Sequence, residues 1–309
     1  MNWNLQMRSA PRCLSLLAAL SAAGAMPARA LQDSCGEREP PPGPLVSADW
    51  LKRHRSDTGL VILNADRARA AFDSAHIPGA RFVAVSQFTI RKGDLLTELP
   101  PVAMLDSLFE SLGVGDRGRV VIYGETLPAT RLYFTLDYLG LGERVSLLNG
   151  GLEGWKRAGG PTTANPTATY PRASLTVRPR AELLADAAYV NEHRDDPGVL
   201  LLDARTQDEF DGTVQEEGVA RPGHIPGAVR LEWSELMSEG RFRDKGDLRQ
   251  LLTTAGAGPT REIVAYCRVG SRASALYFAA RLLGYSARLY DGSMNDWAGR
   301  AELPVARKP

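Results

Sequence analysis

A pentapeptide occurs twice in this chain, and that duplication constrains the fold more than any other feature. His76-Ile77-Pro78-Gly79-Ala80 returns as His224-Ile225-Pro226-Gly227-Ala228. Val120-Val121-Ile122-Tyr123 is echoed by Ile263-Val264-Ala265-Tyr266, and Asn149-Gly150 with Trp155 by Asp291-Gly292 with Trp297. The matches keep their order at offsets of 148, 143 and 142. Three ordered matches at nearly one offset imply two homologous domains, and two copies are too few for a solenoid. A length of 309 residues fits two domains. Within the second copy, Val199 to Leu202 and Ile263 to Tyr266 are continuous apolar runs, as in strands buried on both faces. Leu248, Leu251 and Leu252 mark one face of a helix between Asp247 and Ala255. A second helix is predicted over Ser274 to Leu283, stopped at Gly284, and a short strand over Arg288 to Tyr290. Strand–helix alternation predicts an α/β fold with a mostly parallel sheet covered by helices on both faces. The domains are placed at 45–158 and 181–309, joined by a Pro-, Thr- and Ala-rich linker over 159–180.

The first thirty residues read differently. Arg8 and Arg12 precede an apolar run from Leu14 to Met26, which ends in Ala28-Arg29-Ala30. That is the pattern of a cleavable export signal, with an apolar run short for a membrane span and no paired arginines, so of Sec type. The expectation is a periplasmic or secreted protein without a membrane anchor, with a flexible tail over 31–44. The signal removes three arginines and no acids from a chain of formal charge +1, so no basic excess points to nucleic acid. Cys13 leaves with the signal, and Cys35 and Cys267 remain. An oxidising compartment would permit a disulfide between them, but Cys35 stands just before Pro40-Pro41-Pro42 in the tail, which argues against a structural bridge. The four histidines and remaining cysteines show no metal-ligand spacing, so neither metal nor cofactor is expected.

The chemistry concentrates in Cys267-Arg268-Val269-Gly270-Ser271-Arg272, which follows a strand and opens a helix. In open parallel sheets the ligand crevice lies at the carboxyl ends of the strands. A loop curled ahead of a helix turns backbone N–H groups inward, and the helix N-terminus adds partial positive charge. Such a nest favours a thiolate, the reactive form of cysteine. Arg268 and Arg272 supply donors and charge, and Gly270 lets the loop close tightly. In the first copy Gly124 takes the place of Cys267 and is followed by Glu125 and Pro128. That half has no nucleophile and is expected to be a scaffold.

Together with Asp203-Ala204-Arg205, Glu209-Phe210 and Asp291-Gly292-Ser293, these motifs resemble the tandem-domain rhodaneses, the thiosulfate and 3-mercaptopyruvate sulfurtransferases. The resemblance runs from about Leu45 to Val305. It implies two doubly wound domains with only the C-terminal one active, and a ping-pong reaction. Cys267 would take the outer sulfur of a small anionic donor as a persulfide, and a thiophilic acceptor such as cyanide, a thiol or an acceptor protein would remove it. Residues 268–272 would bind the donor. Thiosulfate enzymes of this family often have basic residues at the second and third loop positions, and mercaptopyruvate enzymes a Gly or Ser at the second. Arg268 therefore favours thiosulfate, although Val269 is not basic and Glu209 stands where many relatives place a substrate-binding arginine. The alternatives are a mercaptopyruvate sulfurtransferase and a non-turnover persulfide carrier. A phosphatase is disfavoured, because only four residues separate Cys267 from Arg272, one fewer than the related phosphatases use. Asp203 and Arg205 are expected to brace loops, Trp297 to pack in the core like Trp155, and His76 and His224 to shape equivalent turns. A segment from Thr213 to Gly223 makes this copy ten residues longer than the first; it is expected to border the cleft, with Arg221 a candidate anion contact.

Overall fold

The computed structural model describes residues 42–308 except Ala168. Cys35, the expected export signal and the expected tail up to residue 41 lie outside the described residues. The first half contains strands β1 Leu45–Val46, β2 Leu60–Asp66, β3 Arg81–Ala84, β4 Ile90–Lys92, β5 Leu95–Glu98, β6 Arg119–Gly124 and β7 Val145–Leu148. Five of them form a parallel sheet in the order β1-β7-β6-β2-β3, while β4 and β5 form a separate antiparallel hairpin. The second half contains β8 Leu184–Ala185, β9 Val199–Asp203, β10 Val229–Arg230, β11 Met237–Ser238, β12 Arg241–Phe242, β13 Glu262–Tyr266 and β14 Ala287–Tyr290. Its parallel sheet, read from the opposite edge, is β8-β14-β13-β9-β10, and β11 and β12 form the matching hairpin. The duplication seen in the sequence is thus a duplication of topology: two α/β domains with the same sheet order.

The apolar runs are explained by burial on both sides of each sheet. Successive side chains point to opposite faces. Leu200, Leu202, Ile263 and Ala265 join a core continuous with Leu63 and Ile122 of the first domain. Leu201, Val264 and Tyr266 face an outer core with Trp297, as Ile62, Val121 and Tyr123 do with Trp155.

The two domains meet through helices Thr126–Tyr138 and Ala273–Leu282, related by an approximate twofold. Thr130 and Ser274, equivalent in the repeat, share a hydroxyl–hydroxyl hydrogen bond of 2.8 Å. On either side, Tyr133 meets Phe278 and Phe134 meets Tyr277 edge-to-face, each at 4.9 Å between ring centres. Such pairs add about 0.5–1.5 kcal/mol beyond the area they bury. The hairpins extend the symmetry. β5 reaches the second domain, where the N–H of Leu99 donates to Asp291 Oδ2. β12 reaches the first, where the N–H of Phe242 donates to Asn149 Oδ1. Each domain therefore lays a hairpin over the carboxyl-terminal loops of its neighbour.

His76 and His224 behave as turn residues. Each directs Nδ1 at the carbonyl of the phenylalanine it stacks on, Phe72 and Phe210 respectively.

Candidate active site

Tyr266 ends β13 on the central strand pair, and Cys267 is the next residue. The helix does not begin until Ala273, so residues 267–272 form an open loop. Gly270 is needed there. Its φ is +80°, and a Cβ would stand 2.8 Å from the Asp291 carbonyl oxygen. Cys267 is fully buried. Its N–H donates to Ser293 Oγ at 3.1 Å, and its carbonyl accepts from the Met294 N–H at 3.0 Å. Ser293 is itself buried with φ +50°, a strained conformation for a non-glycine. The backbone N–H groups from Arg268 to Arg272 have no hydrogen-bond partner among the described residues. They form the expected donor set for an anion held ahead of a helix.

The charge around this loop departs from the sequence expectation. Arg272 does not stand free for an anion: it makes a two-pronged contact with Glu209 (2.6 and 2.9 Å) and a third bond to Glu216 at 3.0 Å. Glu216 lies in the Thr213–Gly223 segment and also accepts from Arg205 at 2.8 Å. Arg205 in turn grips Asp203, and both are buried, so they brace the site. Arg268 donates to the Glu217 carbonyl, with Nε 3.9 Å from Glu216. The segment therefore borders the cleft as expected, but through its glutamates. Burial pulls the Arg272 guanidinium down, yet Glu209 and the charge of Cys267 outweigh it and hold it above its ordinary value. Burial pushes Glu209 up, but the Arg272 and Thr206 hydrogen bonds win and leave it well below the usual carboxylate range. Glu216 is pushed up to about 7 by burial and by Glu209, against the pull of Arg205.

That raised carboxyl yields an expected pH effect. The folded protein holds the Glu216 proton from its ordinary range up to about 7, so the stability it contributes is lost as pH rises through that value. Protonation as pH falls uncovers positive charge on Arg268 and Arg272. Compared with Glu216→Gln, wild type is expected to use an anionic donor several-fold less well at pH about 8 and nearly equally at about 6. Measuring kcat/KM of both proteins across that range checks this; a ratio independent of pH overturns it.

The first domain completes the site. Thr97 Oγ1 donates to the Val269 carbonyl, and Glu98 is pushed up to about 7 by burial and by Asp291. Arg131 pairs with Asp291 through Nη2–Oδ2 at 3.0 Å, in a contact where both side chains are almost wholly buried. None of Thr97, Glu98, Arg131, Glu216 or Ser293 was singled out from sequence as a site residue; only Ser293 lay within a recognised motif.

Arg221 is a correction. Its guanidinium donates to the carbonyls of Ala298, Leu303, Trp297 and Arg300, so it anchors the segment to the C-terminal turns and faces no anion. Trp297 is fully buried, with Nε1 donating to the Pro304 carbonyl, as Trp155 donates to Pro161. Among the described residues no group of three or more His, Cys, Asp or Glu is placed to hold a metal ion.

The first-domain counterpart of the loop is absent rather than altered. Gly124 has φ +137°, and a Cβ there would lie 2.1 Å from the Ala65 carbonyl oxygen. The helix starts at Thr126, so Pro128 sits in its first turn, where a fixed φ is tolerated, rather than in a loop.

Comparison with known proteins agrees with this geometry. The Rhodanese-like domain family matches residues 47–158 and again 186–300. A relative from Pseudomonas aeruginosa, named a probable 3-mercaptopyruvate sulfurtransferase, is 35% identical over 85% of this chain and 97% of its own. The thiosulfate sulfurtransferase of Corynebacterium glutamicum is 29% identical over 85% of this chain and 90% of its own. The crystal structure of SseA from Escherichia coli, titled as a 3-mercaptopyruvate sulfotransferase, superposes with a TM-score of 0.72 at 27% identity, covering 82% of this chain and 99% of that one. With a cysteine-bearing loop at the end of β13 and a loopless copy at the end of β6, the chain belongs to the rhodanese family as a two-domain sulfurtransferase.

Proposed function

We propose that the protein is a thiosulfate sulfurtransferase that works through a Cys267 persulfide. The Cys267 sulfur attacks the outer sulfur of thiosulfate, the S–S bond breaks, and sulfite departs with the bonding electron pair. Cyanide or a thiolate then attacks the bound sulfur, and Cys267 leaves as thiolate. The observation that carries this reading is the ring of unpartnered N–H groups from Arg268 to Arg272 around one cysteine. Such preorganised donors stabilise sulfur anions without reorganising during reaction. Of the two loop arginines, Arg268, half-buried at the loop's edge, is the one not held by a two-pronged carboxylate contact.

A second reading rests on a specific observation. Glu209 and Glu216 neutralise Arg272, which weakens the case for a dianion and favours a monoanionic donor such as 3-mercaptopyruvate. Thiocyanate formation from thiosulfate and cyanide, set against pyruvate formation from 3-mercaptopyruvate, separates the two. Thiosulfate is expected to dominate, and Arg268→Gly is expected to lower its kcat/KM about tenfold while changing mercaptopyruvate use less. A dominant pyruvate signal, or equal loss for both donors, overturns the donor assignment. One equivalent of persulfide with neither turnover identifies a carrier. The charged, apolar and small-residue pattern of residues 1–30 supports export to the periplasm or beyond, where the acceptor must also keep Cys267 reduced.

A further inference from the structure

The first domain keeps a cavity where the second domain buries an arginine. The sheet registers set Asn64 opposite Tyr123 and Asp203 opposite Tyr266. The two tyrosines are equivalent, since their hydroxyls accept from the N–H groups of Ile77 and Ile225. Asn64 therefore stands in the place of Asp203. In the second domain the Arg205 guanidinium fills the space beside that residue. It donates to both Asp203 oxygens, at 3.0 and 2.7 Å, and to the Gly223 carbonyl at 2.7 Å. In the first domain one extra residue precedes Phe72, and Arg67 is carried outward to exposed Glu125, 2.9 Å away. Among the described residues no guanidinium takes the place of Arg205, and the shorter Asp66 stands at its register position.

What remains is a cavity of about 490 Å³, whose walls include Asn64, Asp66, Ala75, Tyr123, Gly124 and Phe242. Asn64 and Ala75 are the counterparts of Asp203 and Gly223, the residues that hold Arg205. Asn64 is 5% exposed, and its Oδ1 has no hydrogen-bond partner among the described residues. Buried acceptors are nearly always satisfied, and an unsatisfied one costs about 1–3 kcal/mol. Asp66 adds a half-buried carboxylate beside it. Glu125, Glu153 and Glu239 also line the cavity, against a single cation, Arg157. No side chain can be added at Gly124 to fill the space, because a Cβ there would lie 2.1 Å from the Ala65 carbonyl oxygen.

We propose that this cavity binds a small molecule with a guanidinium or amidinium head, which occupies the position that Arg205 fills in the second domain. The head donates to Asn64 Oδ1 and to the Asp66 carboxylate, and the tail runs toward Phe242 of the second-domain hairpin. The volume suits a metabolite-sized ligand. The site is separate from Cys267 and does not depend on which sulfur donor the enzyme uses.

Calorimetric titration of the full chain with agmatine tests this. One saturable site with a dissociation constant near or below about 1 mM is expected, and glutarate is expected not to bind. Asn64→Asp, which restores the carboxylate of the second domain, is expected to tighten agmatine binding about tenfold. Asp66→Asn is expected to weaken it several-fold, and Ala75→Leu, which fills the cavity, to abolish it. The gain in Asn64→Asp cannot come from misfolding, and the unfolding midpoint of each variant controls the losses. Absence of saturation, unchanged binding in Ala75→Leu, or binding abolished by Glu216→Gln while surviving Ala75→Leu each overturns the proposal.

Discussion

Cys267→Ser is expected to abolish persulfide formation and lower sulfur transfer by on the order of 10³-fold or more, the scale on which removal of a nucleophile acts. A hydroxyl ionises far less readily than a thiol, and the oxygen analogue of the persulfide does not carry sulfur onward. Among the described residues Cys267 is the one cysteine, and the equivalent position holds Gly124 with no room for a Cβ. Mass spectrometry after donor treatment, in the absence of acceptor, reads the result directly. Wild type is expected to gain the mass of one sulfur atom, and Cys267→Ser none. Stoichiometric sulfur uptake by the variant would place the carrier site elsewhere. Folding is not at issue, since Ser and Cys are close in size and the loop is held by backbone contacts to Ser293 Oγ and the Met294 N–H.

Arg131→Leu is expected to cost about 3–5 kcal/mol, because it leaves a buried carboxylate unpaired. Arg131 is 2% exposed and Asp291 8%, and the pair joins the two domains directly against the Cys267 loop at Gly270. Asp291 also accepts from the Leu99 N–H and packs against Gly270. Without the guanidinium it faces Glu98, whose carboxyl its charge already pushes up. At a few degrees per kcal/mol for domains near this size, the melting transition is expected to fall by roughly 10 °C, with turnover falling alongside as the loop loosens. The double variant Arg131→Leu with Asp291→Leu removes both charges and is expected to lose less stability than the two single changes added together. Additive losses would show that the pair is not coupled, and a single variant within about 0.5 kcal/mol of wild type would remove its structural role.

The sequence carried much of this on local rules. Continuous apolar runs identified β9 and β13, and the Leu248, Leu251 and Leu252 spacing identified the Lys245–Thr254 helix. The recurring motifs marked the duplication and the empty position at Gly124. Around Phe72 the two copies do not share one offset. Matching Phe72 to Phe210 pairs Ala65 with Asp203, whereas the sheet register pairs Asn64 with it, because the first domain has one extra residue between strand and helix. Both anchors are correct locally, and only pairing across strands reveals the slip. The charge of the site was misjudged for a related reason. Arg272 read as a free cation because Glu209 and Glu216 are 63 and 56 residues away in the chain, yet they sit within 3.0 Å of it in the fold. Arg221 read as an anion contact, but the C-terminal turns supply four carbonyls that it satisfies instead.

The sequence by itself determined the two domains, their α/β class and the position of the loop that carries Cys267, since each depends on side-chain period or on residues adjacent in the chain. Tertiary structure alone decided how much positive charge the loop retains, which hairpin covers it, and that Arg131 and Asp291 tie one domain to the active loop of the other. Those outcomes depend on burial, which makes paired charges neutralise each other strongly, and on contacts between residues more than fifty positions apart, which no local pattern encodes. The residues next to Cys267 mark its loop in the sequence, but the charge beside that loop is set by glutamates and by a neighbouring domain that folding brings to it.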